Sequence, residues 1–144
     1  MMNIKNKLKS SRGFTLLEIL VVISIIGILI AVGSAAFTTA QKKGRDARRR
    51  ADMKAYQSAF EQYYSENSGY ASCAAMEAAS FVGGTPSDPK PSGTQYSCTT
   101  NVANTIYCVC ATLDYTTSGN ASAGANGVCT FAANSTKFCV QNLQ

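Results

Sequence analysis

The sequence contains no histidine and no tryptophan, and its three prolines all follow residue 85. Without histidine, Ser-His-Asp triads, Cys-His nucleophilic pairs and the common zinc hydrolase sites are excluded. A glycine-rich phosphate loop is also missing, because Gly119, Gly124 and Gly127 are separated by polar residues and no lysine directly follows any of them. These absences predict that the chain is not an enzyme, and we expect no cofactor.

Charge is absent from residues 19–37. At about 1.5 Å per helical residue this run spans roughly 28 Å, close to the hydrocarbon thickness of a bilayer. It can therefore cross a membrane. A buried core helix and a cleaved secretory signal are the alternatives. The run exceeds the ~7–15 apolar residues of a signal, although Ala31, Gly33, Ser34 and Ala36 resemble a signal cleavage site.

The lack of proline before residue 86 allows a long helix. Small and aromatic residues recur every four positions after the apolar run: Ala47, Ala51, Ala55, Ala59 and Tyr63, flanked by Tyr56, Phe60 and Tyr64. This spacing predicts an amphipathic continuation of the apolar helix. We expect one helix from about residue 15 to about residue 66, with Asn67, Ser68 and Gly69 ending it.

The remaining sequence is rich in Gly, Ser, Thr, Asn and Pro, and its apolar residues fall in short runs. Four runs predict strands that pair antiparallel: 95–100, 105–113, 127–132 and 137–142. Residues 83–93 are expected to form a loop, and the polar, Gly-rich residues 116–126 an exposed connection. The predicted fold class is α+β, with one long helix packed on a small antiparallel sheet.

The six cysteines all lie in the C-terminal half: Cys73, Cys98, Cys108, Cys110, Cys129 and Cys139. An even number in a small region favours disulfides and an oxidising compartment. A cysteine-only metal site is the alternative, but no Cys-x-x-Cys pair is present. Fifteen pairings are possible for six cysteines. Because Cys108 and Cys110 face the same side of a strand, we expect them to pair with the Cys129 and Cys139 region, leaving Cys73 to Cys98.

Basic residues flank the apolar run on both sides. Four precede it (Lys5, Lys7, Lys9, Arg12) and seven follow it (Lys42, Lys43, Arg45, Arg48, Arg49, Arg50, Lys54). From residue 55 onward, two basic residues face five acidic ones, so the C-terminal region is mildly acidic. The basic cluster at 42–50 could contact anionic lipid, line a groove between subunits, or simply be solvated.

Residues 9–18 read Lys-Ser-Ser-Arg-Gly-Phe-Thr-Leu-Leu-Glu, and the long Ile/Leu/Val run follows them directly. This combination resembles the processing site shared by type IV pilins and the pseudopilins of type II secretion. The resemblance covers roughly residues 5–70 and implies a pilin-like α+β fold. It also implies that a prepilin peptidase cuts between Gly13 and Phe14, that the new amino group of Phe14 is methylated, and that Glu18 meets this amine of an adjacent subunit during assembly.

The resemblance implies four segments: a cytoplasmic leader at 1–13, a transmembrane and assembly helix at 14–40, an amphipathic helix at 41–68, and a loop and β-sheet head at 69–144. The head is expected outside the cytoplasm, first as a single-pass inner-membrane protein and then in a filament. The expected partners are copies of the chain, minor pilins or pseudopilins, the prepilin peptidase, an inner-membrane assembly platform and, before assembly, membrane lipid. Nucleic acid has no support beyond charge.

Three questions stay open at the level of sequence. Basic residues after the span outnumber those before it, which by itself favours a head that stays inside. Asp114, with Thr116, Ser118 and Asn120, weakly resembles an oxygen-rich calcium loop, although a turn needs the same residue types. The alternative function is a membrane-anchored or secreted disulfide-rich binding domain that does not polymerise.

Overall fold

The computed structural model describes residues 13–90 and 95–144. It contains two helices, α1 (Leu16–Asn67) and α2 (Cys73–Ser80), and five strands, β1 (Ser97–Thr100), β2 (Tyr107–Thr112), β3 (Gly119–Ala125), β4 (Val128–Ser135) and β5 (Lys137–Gln141). The chain divides into two compact units, one ending at Thr38 and one covering residues 39–144. The leader cations (Lys5, Lys7, Lys9, Arg12) and the end of the predicted 83–93 loop lie outside the described residues.

Helix α1 confirms the predicted long helix. No proline interrupts it, and Gly27, Gly33 and Gly44 lie within it. It ends at Asn67, whose side-chain amide donates to the carbonyl of Tyr63. The residue that turns the chain is Ser68, with φ of 56°, whereas Gly69 has no positive φ. A serine therefore adopts the left-handed conformation that most often falls to glycine after a helix.

The buried face of α1 is centred on the aromatic residues that flank the predicted stripe and not on the alanines within it. Met53, Tyr56 and Phe60 are buried, whereas Ala47, Ala51 and Ala55 are exposed. Large side chains bury more apolar area than alanine does, so the aromatic face makes the core. It packs with Tyr70, Met76, Tyr96, Tyr107, Val109, Ala111 and Val140.

The five strands form one antiparallel sheet in the order β1-β2-β5-β3-β4. All four predicted strands are present. The prediction that residues 116–126 form only a connection is wrong, because they contain strand β3. Helix α2 also lies in a head for which only loops and strands were predicted. The sequence does contain a signal for α2, since a serine precedes an alanine-rich segment. In the structure Ser72 caps this helix by accepting from the amide of Ala75.

The sheet bends so that β4 returns to β2. Three strand spacings of about 4.8 Å would separate these strands in a flat sheet. Instead the Cα atoms of Cys108 and Cys129 are 5.4 Å apart and their side chains form a disulfide. Register shifts in the β3–β4 pair allow the bend, since bulges curve a strand. Gly124 permits the close approach: a Cβ there would lie 2.7 Å from the sulfur of Cys108.

Side chains of β2 alternate between two clusters, as strand geometry requires. Tyr107, Val109 and Ala111 join the core around α1. Cys108 and Cys110 point to the other face, where they meet Ala121, Cys129 and Cys139. The sheet is therefore packed on one side by aromatic residues and crosslinked on the other by disulfides.

Candidate functional site

The predicted cleavage position lies at the start of the described chain. Gly13 precedes α1, and a Cβ at this position would meet nothing within 4 Å. Phe14 is 83% exposed, so the Gly13–Phe14 peptide bond is not enclosed by the described residues. A peptidase needs an accessible peptide bond, and cleavage itself stays a prediction.

Glu18 forms a reciprocal hydrogen-bonded pair with Thr15 at the start of α1. Its Oε2 accepts from the Thr15 amide and hydroxyl, both at 2.8 Å, and the Thr15 hydroxyl oxygen accepts from the Glu18 amide at 3.2 Å. This is a capping box, which satisfies amides that a helix start leaves unpaired. The Thr-x-x-Glu spacing of residues 15–18 is the sequence signal for this cap.

The first unit exposes the whole apolar run of α1. Every side chain in its most apolar 18-residue window is unburied, and by length and composition α1 can cross a membrane. The hydroxyls of the two serines in the run form hydrogen bonds within the helix: Ser24 donates to the carbonyl of Val21 at 2.8 Å and Ser34 to that of Ala31 at 3.1 Å. Such internal bonding lets a serine lie in apolar surroundings without an unpaired hydroxyl.

An ion network lies in the second unit, centred on Arg49, which is 1% exposed. Its Nη1 lies 2.7 Å from Asp46 Oδ1, and its Nε lies 2.7 Å from Asp88 Oδ2. Asp46 in turn accepts from the amides of Asp114 and Tyr115 at 2.8 and 3.0 Å. These bonds connect α1 with the segment after α2 and with the segment after β2. Hydrogen bonding to Asp88 raises the pKa of Arg49, so the guanidinium stays charged.

Asp114 belongs to this network. Its carboxylate contacts Arg45 at 2.7 Å, Arg49 at 3.3 Å and Lys90 at 2.5 Å. Burial raises the pKa of Asp114, but the hydrogen bonds from Lys90 and Arg45 outweigh burial and lower this pKa to about 2. Both oxygens therefore already face cations, which argues against Asp114 as a calcium ligand. The network contains three acidic and three basic side chains, so it is formally neutral.

Glu61 joins three parts of the second unit. Its Oε1 accepts from the hydroxyls of Tyr70 and Tyr107, both at 2.9 Å, and from the amide of Leu143 at 3.1 Å. Burial and these bonds to Glu61 raise the pKa of both tyrosines above the ordinary value. Glu61 thus holds the segment after β5 against α1, and no sequence pattern indicated this role.

All six cysteines are paired among the described residues: Cys73–Cys98, Cys108–Cys129 and Cys110–Cys139. This confirms the expectation that Cys108 and Cys110 pair with the Cys129 and Cys139 region and that Cys73 pairs with Cys98, which had left open the individual partners of Cys108 and Cys110. Four sulfurs, those of Cys108, Cys110, Cys129 and Cys139, lie within 4.8 Å of one another, a spacing that also suits a metal. Metals bind thiolates, and a disulfide sulfur offers none, so the oxidised chain has no such ligand set.

Known proteins match part of this chain. Residues 8–34 match the family described as prokaryotic N-terminal methylation motif. Over 60 residues the chain is 35% identical to the type IV major pilin protein PilA of Myxococcus xanthus strain DK1622. The alignment covers 42% of this chain and 27% of that pilin, so it spans about a quarter of the relative's length. No solved structure matches the chain significantly.

Proposed function

Because the chain carries the N-terminal methylation motif of the type IV pilin family on an α+β, pilin-like fold, we propose that it is a filament subunit. In this proposal the prepilin is inserted in the inner membrane with its head outside the cytoplasm. A prepilin peptidase cuts after Gly13, and subunits then polymerise through α1. The similarity to a major pilin favours a type IV pilus over a secretion pseudopilus. No catalytic role is proposed.

The observation that carries the proposal is the exposed apolar surface of α1. Fifteen large apolar side chains between Phe14 and Phe37 are each at least 44% exposed. Covering one such side chain stabilises a protein by about 1.5–3 kcal/mol, so covering all of them is worth tens of kcal/mol. That exceeds the ~5–15 kcal/mol stability of a whole domain. The helix must therefore be covered, first by lipid and then by the helices of other subunits.

The capping box gives Glu18 a defined position for assembly. Both Thr15 bonds use Oε2, so Oε1 is available to a further donor. In the proposed filament that donor is the Phe14 amine of the neighbouring subunit, as the family resemblance implies. A charge partner is needed because an unpaired carboxylate in apolar surroundings costs about 2.5–3.5 kcal/mol or more.

The mature N-terminus tests the proposal. We expect mass spectrometry of the protein from its native membrane or sheared filaments to find a chain that begins at Phe14 and carries one added methyl group. Gly13→Val should block this cleavage by adding a branched side chain at the cut, whereas Gly33→Ala should be processed normally. An intact Met1, or a cut after Ala36, would instead support an anchored or secreted binding domain.

A further inference from the structure

Six of the seven cations that follow the apolar run fall into two groups in the structure; the seventh, Lys54, lies further along α1 and donates to the side chain of Gln57. Arg45 and Arg49 belong to the neutral ion network. Arg50 donates to the carbonyl of Ser118 at 2.8 Å and lies 5.7 Å from the ring centre of Phe138. Lys42, Lys43 and Arg48 are exposed, and within residues 13–90 and 95–144 none of these three forms an ion pair. We call these three residues the basic collar.

The acidic residues close to the collar along α1 are engaged elsewhere. Asp46, four residues after Lys42, bonds Arg49 and two backbone amides. Asp52, four residues after Arg48, accepts a hydrogen bond from the hydroxyl of Tyr96 at 2.5 Å. The collar thus presents three positive charges that the described part of the protein does not neutralise. An anionic partner outside the chain fits this surface.

Its position in the sequence identifies the partner. Lys42 and Lys43 follow Phe37, the end of the uncharged run, by five and six residues. Lysine and arginine at the end of a membrane span extend their charged groups to the lipid headgroups. We propose that the basic collar binds anionic phospholipid headgroups while the subunit is held in the membrane. This inference depends on the membrane insertion contained in the proposed function.

Lipid binding by the collar also bears on the excess of basic residues after the apolar run. Basic residues after the span disfavour a head outside the cytoplasm. Attraction between the collar and anionic headgroups at that surface favours the inserted chain and so acts against this cost. Nucleic acid fits less well, because affinity for nucleic acid grows with the number of phosphates that a protein neutralises and the collar offers three charges.

Spin-label EPR of the full chain in vesicles tests the proposal. The vesicles contain phosphatidylcholine and phosphatidylglycerol, and the measurement compares how strongly each spin-labelled lipid associates with the inserted protein. We expect the wild-type chain to prefer phosphatidylglycerol. Lys42→Gln/Lys43→Gln should lower this preference by up to about 25-fold, since each of the two removed charges contributes up to about five-fold. High salt should lower it too, because salt screens charges near a surface.

A charge-matched control variant shows whether the lipid preference depends on the collar or on the net charge of the protein. Lys54→Gln/Lys137→Gln also removes two positive charges, but at positions outside the collar. It should keep the preference. An equal loss in both double variants, or no preference in the wild-type chain, would overturn the proposal. Salt-sensitive binding of duplex DNA without lipid preference would assign the collar to nucleic acid. A chain that restricts neither spin-labelled lipid is not inserted, and that result contradicts the proposed function as well.

Discussion

Arg49 and Asp88, which are 39 residues apart in the chain, form a two-point ion pair in which Nε and Nη2 of Arg49 lie 2.7 and 2.8 Å from the two carboxylate oxygens. Paired bonds of this kind fix both the distance and the orientation of the two groups. Arg49 also reaches Asp46 and Asp114, so a single guanidinium orders three segments of the second unit. The consequences of losing it are therefore large and specific.

Arg49→Met should lower the free energy of unfolding of the head by about 3–5 kcal/mol, because it leaves buried carboxylates without a cation. Arg48→Met, one position earlier and exposed, should change it by less than about 0.5 kcal/mol. Urea unfolding of the full chain in detergent, followed by the near-ultraviolet circular dichroism of its tyrosines, measures both. Equal effects of the two substitutions would show that the network does not stabilise the head.

Acid should destabilise the head through Asp114 and Asp88. Hydrogen bonds from cations hold the pKa of Asp88 below its ordinary value and that of Asp114 at about 2, below the unfolded value of about 3.9. The ionised forms therefore stabilise the fold above about pH 4, and this contribution disappears as the pH falls toward 2. For Asp114 it is on the order of 2 kcal/mol.

The pH dependence of the urea midpoint between pH 5 and pH 2 tests this assignment. Asp114→Asn should flatten the curve, since the substituted amide does not titrate. Glu66→Gln, at an exposed position, should leave the slope of the wild-type protein unchanged. A wild-type slope in Asp114→Asn would mean that other groups cause the acid sensitivity.

Gly124→Ala should destabilise the crosslinked face by about 1–3 kcal/mol. The added Cβ would lie 2.7 and 3.0 Å from the sulfurs of Cys108 and Cys110, which the two disulfides hold in place. Gly83→Ala provides the control, because its Cβ would meet nothing within 4 Å and its φ is not positive. It should be neutral or slightly stabilising in thermal unfolding. Tolerance of Gly124→Ala would show that the hairpin can move away from the sulfurs.

Glu18→Ala should yield a chain that is cleaved after Gly13 and folded in its head, yet builds few filaments. Loss of the cap alone costs only about 1 kcal/mol, whereas breaking a buried charge pair costs about 3–5 kcal/mol. Thr15→Ala separates these causes, because it removes the hydroxyl of the capping box and keeps the carboxylate. The measurement is the cleaved fraction beside the yield of sheared filaments. Similar filament loss in both variants would assign Glu18 to capping alone.

The sequence predicted α1 well because the features that determine the extent of this helix are local. The lack of proline, the apolar run and the stop at Asn67 all act within a few residues. The strands around Cys108 and Cys139 were predicted for the same reason, since alternation is local. Because Cys108 and Cys110 share one face of β2, the sequence also predicted that they pair with the Cys129 and Cys139 region. Which of the two bonds to Cys129 did not follow from that shared face.

What the sequence did not reveal depends on contacts between distant residues. Strand β3 is rich in glycine, which intrinsic preference disfavours in strands, and it forms because Gly119 and Gly124 fit against neighbouring backbone and sulfur atoms. No sequence spacing predicts the ion pair of Arg49 with Asp88 or the hydrogen bonds of Glu61. The four-residue spacing of alanines in α1 did not mark the buried face, because burial depends on side-chain size as well as on helical periodicity.

The disulfide map determines how the head responds to a protease. A cut anywhere between Cys73 and Cys98 is bridged by one disulfide, and a cut between Cys110 and Cys129 is bridged by two. Between Cys98 and Cys108 no disulfide crosses, and this stretch includes the turn where Val102 is fully exposed. A nick there releases the C-terminal part from the covalent chain, with only the core and the sheet to retain it. Nicks at the other turns of the sheet leave a subunit whose pieces stay covalently joined until a reductant reaches them.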